Sequence, residues 1–287
     1  MPFIIDRRSF LKQTLGAAAC ATLVRGAESQ VRLALFSDTH IAADSGDRFR
    51  GFFPHTNLKQ AVAQAAASKF DMLVVNGDLA RQQGLAPDYR QFTFLTDPLA
   101  ERLPMVVTLG NHDDRKNARS ALIERAGEIQ AVEQKLVSVI DAGPVKLILL
   151  DSLMATNVVA GQLGDSQREW LKQFLAAQGS KPVIVFVHHN PNSEDKNGLL
   201  DTEQLLAILA PSRQVKALVF GHTHVYAHEN RDGLHLLNLP AVGYNFTDGH
   251  PVGWVEATFN DKGADLKLHA IAGETRDDGK VSSIVWR

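Results

Sequence analysis

Five short apolar runs along the chain share one habit: each breaks off abruptly into aspartate, asparagine or histidine. Val31-Arg32-Leu33-Ala34-Leu35-Phe36-Ser37 ends at Asp38-Thr39-His40, Met72-Leu73-Val74-Val75 at Asn76-Gly77-Asp78, and residues 104–109 at Gly110-Asn111-His112-Asp113. Residues 183–187 deliver His188-His189-Asn190-Pro191, and residues 215–220 deliver Gly221-His222-Thr223-His224. Short apolar runs bounded by turn residues predict buried β-strands. Between them the period turns helical. Residues 57–68 predict an Ala-rich helix with Asn57 or Thr56 as its N-cap, and residues 88–101 and 201–209 predict two more. A helix starting at Gly164-Asp165-Ser166 carries Trp170, Leu171, Phe174 and Leu175 at the spacing of a buried stripe.

Residues 134–140 and 145–150 flank Asp141-Ala142-Gly143-Pro144, a turn that predicts an antiparallel pair. The later segments 225–228, 234–237, 254–259 and 266–270 alternate with turns and predict mostly antiparallel strands that close a second sheet. The expected fold is therefore α/β, two sheets with helices outside. The polar clusters fall at strand carboxyl ends, where α/β sheets place their ligands. In the first cluster, alternation along an extended backbone would put Asp38 and His40 on one side.

With 287 residues, 45% of them hydrophobic, the chain can build one large domain. It has no internal repeat, and beyond the N-terminus no apolar run is long enough to span a bilayer. The N-terminus reads differently. Asp6-Arg7-Arg8-Ser9-Phe10-Leu11-Lys12 precedes a mildly apolar stretch and small residues up to Ala27, the layout of an export signal. The paired arginines followed by Phe-Leu-Lys resemble the twin-arginine signals of bacteria, which export folded proteins. The expectation is a signal over residues 1–27 and one domain over 28–287, exported by the twin-arginine machinery to the periplasm or another extracytoplasmic place. Cleavage suits either Ala19-Cys20-Ala21 or the region of Ala27. Cys20, the only cysteine, would carry a lipid anchor if Ala17-Ala18-Ala19-Cys20 served as a lipoprotein box, though the usual leucine is missing there. Removing residues 1–27 leaves 26 basic against 31 acidic residues, a net charge of −5. That balance excludes a general nucleic-acid surface.

Taken singly, each cluster is ambiguous. Aspartate caps turns, and a Gly-His-x-His is more often a polar turn than a metal site. Taken together, oxygen and imidazole donors without cysteine suit Fe, Mn, Zn or Co. In their order, Asp38-x-His40, Gly77-Asp78, Gly110-Asn111-His112-Asp113, His188 and Gly221-His222-x-His224 resemble the calcineurin-like metallophosphoesterases, from Val31 to about Phe259. The resemblance implies a four-layer αββα sandwich of two mixed β-sheets flanked by helices. It also implies two divalent or trivalent metal ions. One would be held by Asp38, His40, Asp78 and His224, the other by Asp78, Asn111, His188 and His222, with the Asp78 carboxylate bridging. His112 would not be a ligand. It would face the substrate, stabilising the transition state or protonating the leaving oxygen, with Asp113 or a carboxylate near it orienting the ring. Family members that read His-His-Pro-Pro bind through the first histidine, which favours His188. Here Asn190 replaces the first proline, so His189 stays open as the alternative ligand and is otherwise a pocket-wall residue. His55, His228 and His250 fall in or near predicted loops, and His235 and His269 in late strands as structural residues.

Compact members with this variety of motifs look most like cyclic-nucleotide and glycerophosphodiester phosphodiesterases. The expected reaction is hydrolysis of a small phosphodiester by a metal-bridging hydroxide. A phosphomonoesterase, acid-phosphatase-like or a protein phosphatase, shares the metal core and is the alternative. A non-catalytic scaffold would be expected to lose a ligand or the histidine of Gly-Asn-His, and none is missing. The export signal favours scavenging of glycerophosphodiesters or nucleotides over contact with cytoplasmic messengers.

Overall fold

Side chains alternate between the faces of a strand, and here each face meets a different core. The computed structural model describes residues 29–122 and 128–287, so the expected signal at 1–27 lies outside the described residues. The parallel strands β1 (Val31–Phe36), β2 (Met72–Asn76) and β3 (Met105–Thr108) send Leu33, Leu35, Val74 and Val106 inward against a second sheet. Ala34, Phe36, Leu73, Val75 and Val107 point outward to α1 (Pro54–Ala66), α2 (Ala86–Ala100) and α3 (Arg115–Leu122).

Among the described residues, β11 (Pro251–Phe259), β12 (Gly263–Gly273) and β13 (Val281–Val285) complete a six-stranded sheet in the order β13-β12-β11-β1-β2-β3. The second sheet has, among the described residues, seven strands: β4 (Glu128–Gln130), β5 (Val137–Ala142), β6 (Val145–Leu149), β7 (Val183–Phe186), β8 (Val215–Phe220), β9 (Ala227–Arg231) and β10 (Leu234–Asn238). Their order is β4-β5-β6-β7-β8-β10-β9, with β6, β7, β8 and β10 parallel and the edges antiparallel. On its outer face α4 (Asp165–Ala176) and α5 (Thr202–Leu209) bury Leu171, Leu175, Leu205 and Leu209 against Val185 and Leu218. Two mixed sheets between two helical layers is the α/β architecture expected.

Three details differ from expectation. The first helix starts at Pro54, whose ring supplies a helical φ and removes one of the N–H groups left unpaired at a helix start, and Phe53 before it makes no side-chain cap. Asn57 is buried within that helix and donates its Nδ2 to the Gly243 carbonyl at 2.8 Å. The late strands do not all close the second sheet. β9 and β10 join it, but β11 pairs antiparallel with β1 of the first sheet and sends Val255, Ala257 and Phe259 into the core between the sheets. Alternation reveals a buried face but not which sheet it lies against.

Candidate metal centre

The five strands that end in polar clusters bring side chains from both sheets to one place. His222 of the second sheet donates its N–H to both oxygens of Asp38 at 3.2 Å, and His188 Nε2 lies 3.4 Å from Asp78 Oδ2. The chain bends sharply where it leaves β1, β2 and β8. Asp38 (φ 52°), His40 (φ 48°), Asp78 (φ 49°), His222 (φ 68°) and His224 (φ 57°) all occupy the left-handed region, which costs a non-glycine residue about 1–2 kcal/mol. Asp38 and His40 therefore converge through left-handed turns and not, as alternation suggested, along an extended backbone. Bonds between loops hold these turns: Asp38 N–H donates to the Gly77 carbonyl at 3.1 Å and His40 N–H to the Asp78 carbonyl at 2.9 Å.

Two glycines let the loops touch. A Cβ on Gly110 would lie 2.2 Å from Asp78 Oδ1 and 2.5 Å from the Asp78 backbone nitrogen. On Gly77, itself at φ 80°, it would lie 2.3 Å from His188 Nδ1.

The donors fall into overlapping groups, Asp38 with His40 and His224, His40 with Asp78 and His112, and Asp78 with His188 and His222. Backbone carbonyls assign the imidazole nitrogens. His40 donates Nδ1–H to the Arg81 carbonyl at 3.4 Å, His188 to that of Asn76 at 2.9 Å and His224 to that of Tyr244 at 2.5 Å. Each is left with Nε2 facing the centre. His222 is reversed: its Nε2 donates to the Asn197 carbonyl at 3.0 Å, leaving Nδ1. The arrangement leaves the centre short of positive charge. Nε2 of His40 and of His224 face each other at 3.1 Å, and the buried atoms His188 Nε2 and Asn111 Oδ1 have no hydrogen-bond partner. A buried unmatched acceptor costs about 1–3 kcal/mol. Cations among these donors would satisfy all four, so the residues fit a metal centre.

The electrostatics agree. Burial pushes His40 down to about 3 and His222 to about 4, which makes both neutral donors. Burial raises the carboxyls of Asp38 and Asp78, but the neighbouring imidazoles outweigh it and hold both well below the usual carboxylate range. His224 and His188 act on Asp38, His188 and His40 on Asp78. His188 goes the other way: burial lowers it, and Asp78 and Asp38 then raise it to about 10.

His112 stands at the rim, half-buried, its Nδ1–H on the Gln82 carbonyl at 3.2 Å and its backbone N–H on Asp78 Oδ1 at 2.8 Å. Asp113 does not orient that ring. Its buried carboxylate accepts the backbone N–H groups of Leu79, Ala80 and Gly110 and, at 3.0 Å, the Tyr89 hydroxyl. It binds one loop to the next, and burial together with Asp78 raises it to about 6. His189 has no nitrogen to spare, since Ser152 Oγ meets Nδ1 at 2.7 Å and Nε2 donates to the Val159 carbonyl at 3.1 Å.

A cavity of about 310 Å³ opens above the donors, lined also by Val159, Asp195, Asn197, Thr223 and Phe246. His55, His228 and His250 do not line it. His228 pairs with His235 at 2.9 Å, and His269 stacks on Trp254. Sequence reasoning missed Tyr244 and Phe246. The aromatic pair in Tyr244-Asn245-Phe246, set in a turn-rich segment, was the available signal.

The sequence profile described as calcineurin-like phosphoesterase matches residues 31–226. A 3′,5′-cyclic adenosine monophosphate phosphodiesterase CpdA from Pseudomonas aeruginosa is 30% identical over 229 residues, covering 77% of this chain and 80% of that protein. Its namesake from Escherichia coli strain K12 is 30% identical over 279 residues, covering 93% of each. Among solved structures, a dimetal phosphatase from Danio rerio superposes with a TM-score of 0.71 at 16% identity, covering 90% of this chain and 99% of its own. A purple acid phosphatase from yellow lupin gives 0.62 at 17%, covering 91% and 54%. At those identities the structural likeness speaks for the fold alone.

Proposed function

Because the chain belongs to the calcineurin-like phosphoesterase family, we propose that this metal-dependent hydrolase cleaves small phosphodiesters, with 3′,5′-cyclic nucleotides the first substrates to test. The observation that carries the reading is the convergence of imidazoles, buried carboxylates and the unpartnered Asn111 Oδ1 and His188 Nε2 on one cavity. Asp38, His40, Asp78 and His224 would hold one cation and Asp78, Asn111, His188 and His222 the other. Asp78 can serve both because a carboxylate has two oxygens, whereas each imidazole here has one nitrogen free. Two such ions, when bound, would acidify a shared water and offset charge on both sides of an in-line phosphoryl displacement. Asn111 contributes a neutral oxygen, which leaves more net positive charge for an anionic diester. His112, its Nδ1–H on the Gln82 carbonyl, would serve as proton donor to the leaving oxygen through Nε2. His189, with both nitrogens engaged, serves as wall.

Fe, Mn, Zn and Co all suit these donors, and elemental analysis of the purified protein identifies which is carried. The arginine pair at Arg7-Arg8 supports export through the twin-arginine route after folding, which would load metal before transport. Fractionation of cells carrying the tagged chain, against an R7K/R8K variant, tests that. The functional test is a comparison of bis(p-nitrophenyl) phosphate, 3′,5′-cyclic AMP and p-nitrophenyl phosphate on metal-analysed protein, with Asn111→Ala as control. Diester turnover that collapses in the variant supports the reading. Cleavage of the monoester alone sinks it and leaves a phosphomonoesterase.

A further inference from the structure

The lining of the metal cavity is polar except for two side chains, Phe246 and Val159, which are 48% and 45% exposed. Phe246 stands directly on an imidazole of the centre. Its ring centroid is 4.1 Å from that of His224, with the planes 25° apart. The ring is braced from the side. Tyr244 meets Phe246 edge-on at 5.7 Å and stacks on His40 at 4.6 Å, and Phe49 lies 4.6 Å from Tyr244. His224 is fixed in turn by its bond to the Tyr244 carbonyl. One face of Phe246 is thus occupied and its plane is set, while the exposed remainder of the ring looks onto the space a substrate would fill.

We infer that Phe246 is the platform on which the planar base of a nucleotide substrate stacks, and that it selects base-bearing phosphodiesters over those without a ring. The inference rests on the proposed phosphodiester hydrolysis at this site. A flat aromatic face held rigid loses little conformational entropy on stacking and accepts any base. The cavity volume lies at the small end of ligand pockets, which suits one nucleotide and not an oligomer. A ring that merely shielded His224 would gain nothing from an exposed face, and the two roles separate by experiment.

Manganese-loaded wild-type protein and the F246A, F246L and F246W variants, matched for metal content, are titrated with 5′-AMP and with ribose 5-phosphate. Stacking is worth about 1–3 kcal/mol per base, so F246A should weaken AMP binding about tenfold. Ribose 5-phosphate, which lacks the base, should shift less than about twofold. The tryptophan variant should keep the preference for AMP, and the leucine variant, similar in bulk but not planar, should lose it. Equal weakening of both ligands, no weakening of either, or retention by leucine would overturn the inference. Turnover then separates it from the functional reading. Selective AMP binding through Phe246 without diester cleavage would remove the hydrolase reading and leave the stacking site. Cleavage of 3′,5′-cyclic AMP with a KM indifferent to F246A would do the reverse.

Discussion

Substituting Gly110 by alanine tests whether the metal centre depends on two loops packed in backbone contact. The added Cβ would sit 2.5 Å from the Asp78 backbone nitrogen and 2.2 Å from Asp78 Oδ1. Ordinary heavy-atom contacts begin near about 3.5 Å, so the loops would have to separate by about 1 Å. The carboxylate cannot simply rotate away. Asp78 Oδ1 accepts the His112 N–H at 2.8 Å, and the Gly110 N–H is itself held by Asp113 Oδ2 at 2.9 Å. Overpacking of this kind costs about 1–3 kcal/mol. For a domain of this length that lowers Tm by roughly 2–6 °C. The larger effect should fall on the ions, because ligand distances tolerate only about 0.2 Å.

The expectation for G110A is a chain that folds, melts several degrees lower and binds metal about 10–100-fold more weakly, the range seen when the support of a ligand is lost. Elemental analysis after dialysis against graded chelator, with melting followed in the same samples, measures both. Gly179→Ala is the control, since nothing lies within 4 Å of a Cβ there, and it should stay within about 0.5 kcal/mol of wild type. Wild-type metal retention and an unchanged Tm in G110A would refute the reasoning, because the Asp78 loop would then be free to move.

Other substitutions address single roles. His112→Ala should lower kcat by about 10²–10⁴-fold while metal content and Tm stay unchanged, since among the described residues the half-buried ring's hydrogen-bond partner is the Gln82 carbonyl. Asp113→Asn should cost about 1–3 kcal/mol in urea unfolding, because the amide NH2 would face either the N–H groups of Leu79 and Ala80 or that of Gly110. In the chelated protein, burial lowers the His188 pKa and the facing Asp78 and Asp38 carboxylates raise it to about 10, above its ordinary 6.5. A raised imidazole pKa contributes stability below pH 6.5 that is lost as pH climbs through about 10. The urea midpoint of chelated protein should fall across that window, and His188→Gln should flatten the fall.

Strand ends and their polar clusters were legible because a buried strand is a continuous apolar run, and its end is marked by the first residue that must stay polar. What the pattern could not carry is direction. Asp38 and His40 lie two apart, which alternation reads as one face of an extended strand, yet both residues turn into the left-handed region and reach the centre by another route. The division of the late strands between the two sheets was hidden for a similar reason, since Val255 and Leu237 are equally apolar and only register assigns each to its sheet. The role of Asp113 was misjudged because adjacency in sequence to His112 says nothing about which way a carboxylate points. Its partners, Leu79, Ala80 and Tyr89, are distant in the chain. The choice between His188 and His189 needed the identity of the atoms facing each ring nitrogen, which no spacing encodes.

Left-handed turns at Asp38, His40, Asp78, His222 and His224, at about 1–2 kcal/mol each, add up to an amount comparable with the whole stability of a domain, about 5–15 kcal/mol. Such strain survives only where the surroundings leave the chain no alternative. Here the surroundings are two sheets whose strand ends are tied across the gap by His222 N–H to the Asp38 carboxylate, Asn76 Nδ2–H to the Val187 carbonyl and His188 Nδ1–H to the Asn76 carbonyl. The turns at His40, His222 and His224 orient those three imidazoles with one nitrogen on a backbone carbonyl and the other toward the centre, so backbone strain and facing ring nitrogens are two expressions of one constraint. A cation among those nitrogens relieves the second and thereby stabilises the first. For this fold, metal affinity and folding stability are therefore coupled quantities, and a substitution that relaxes the turns should weaken metal binding even while it eases the backbone.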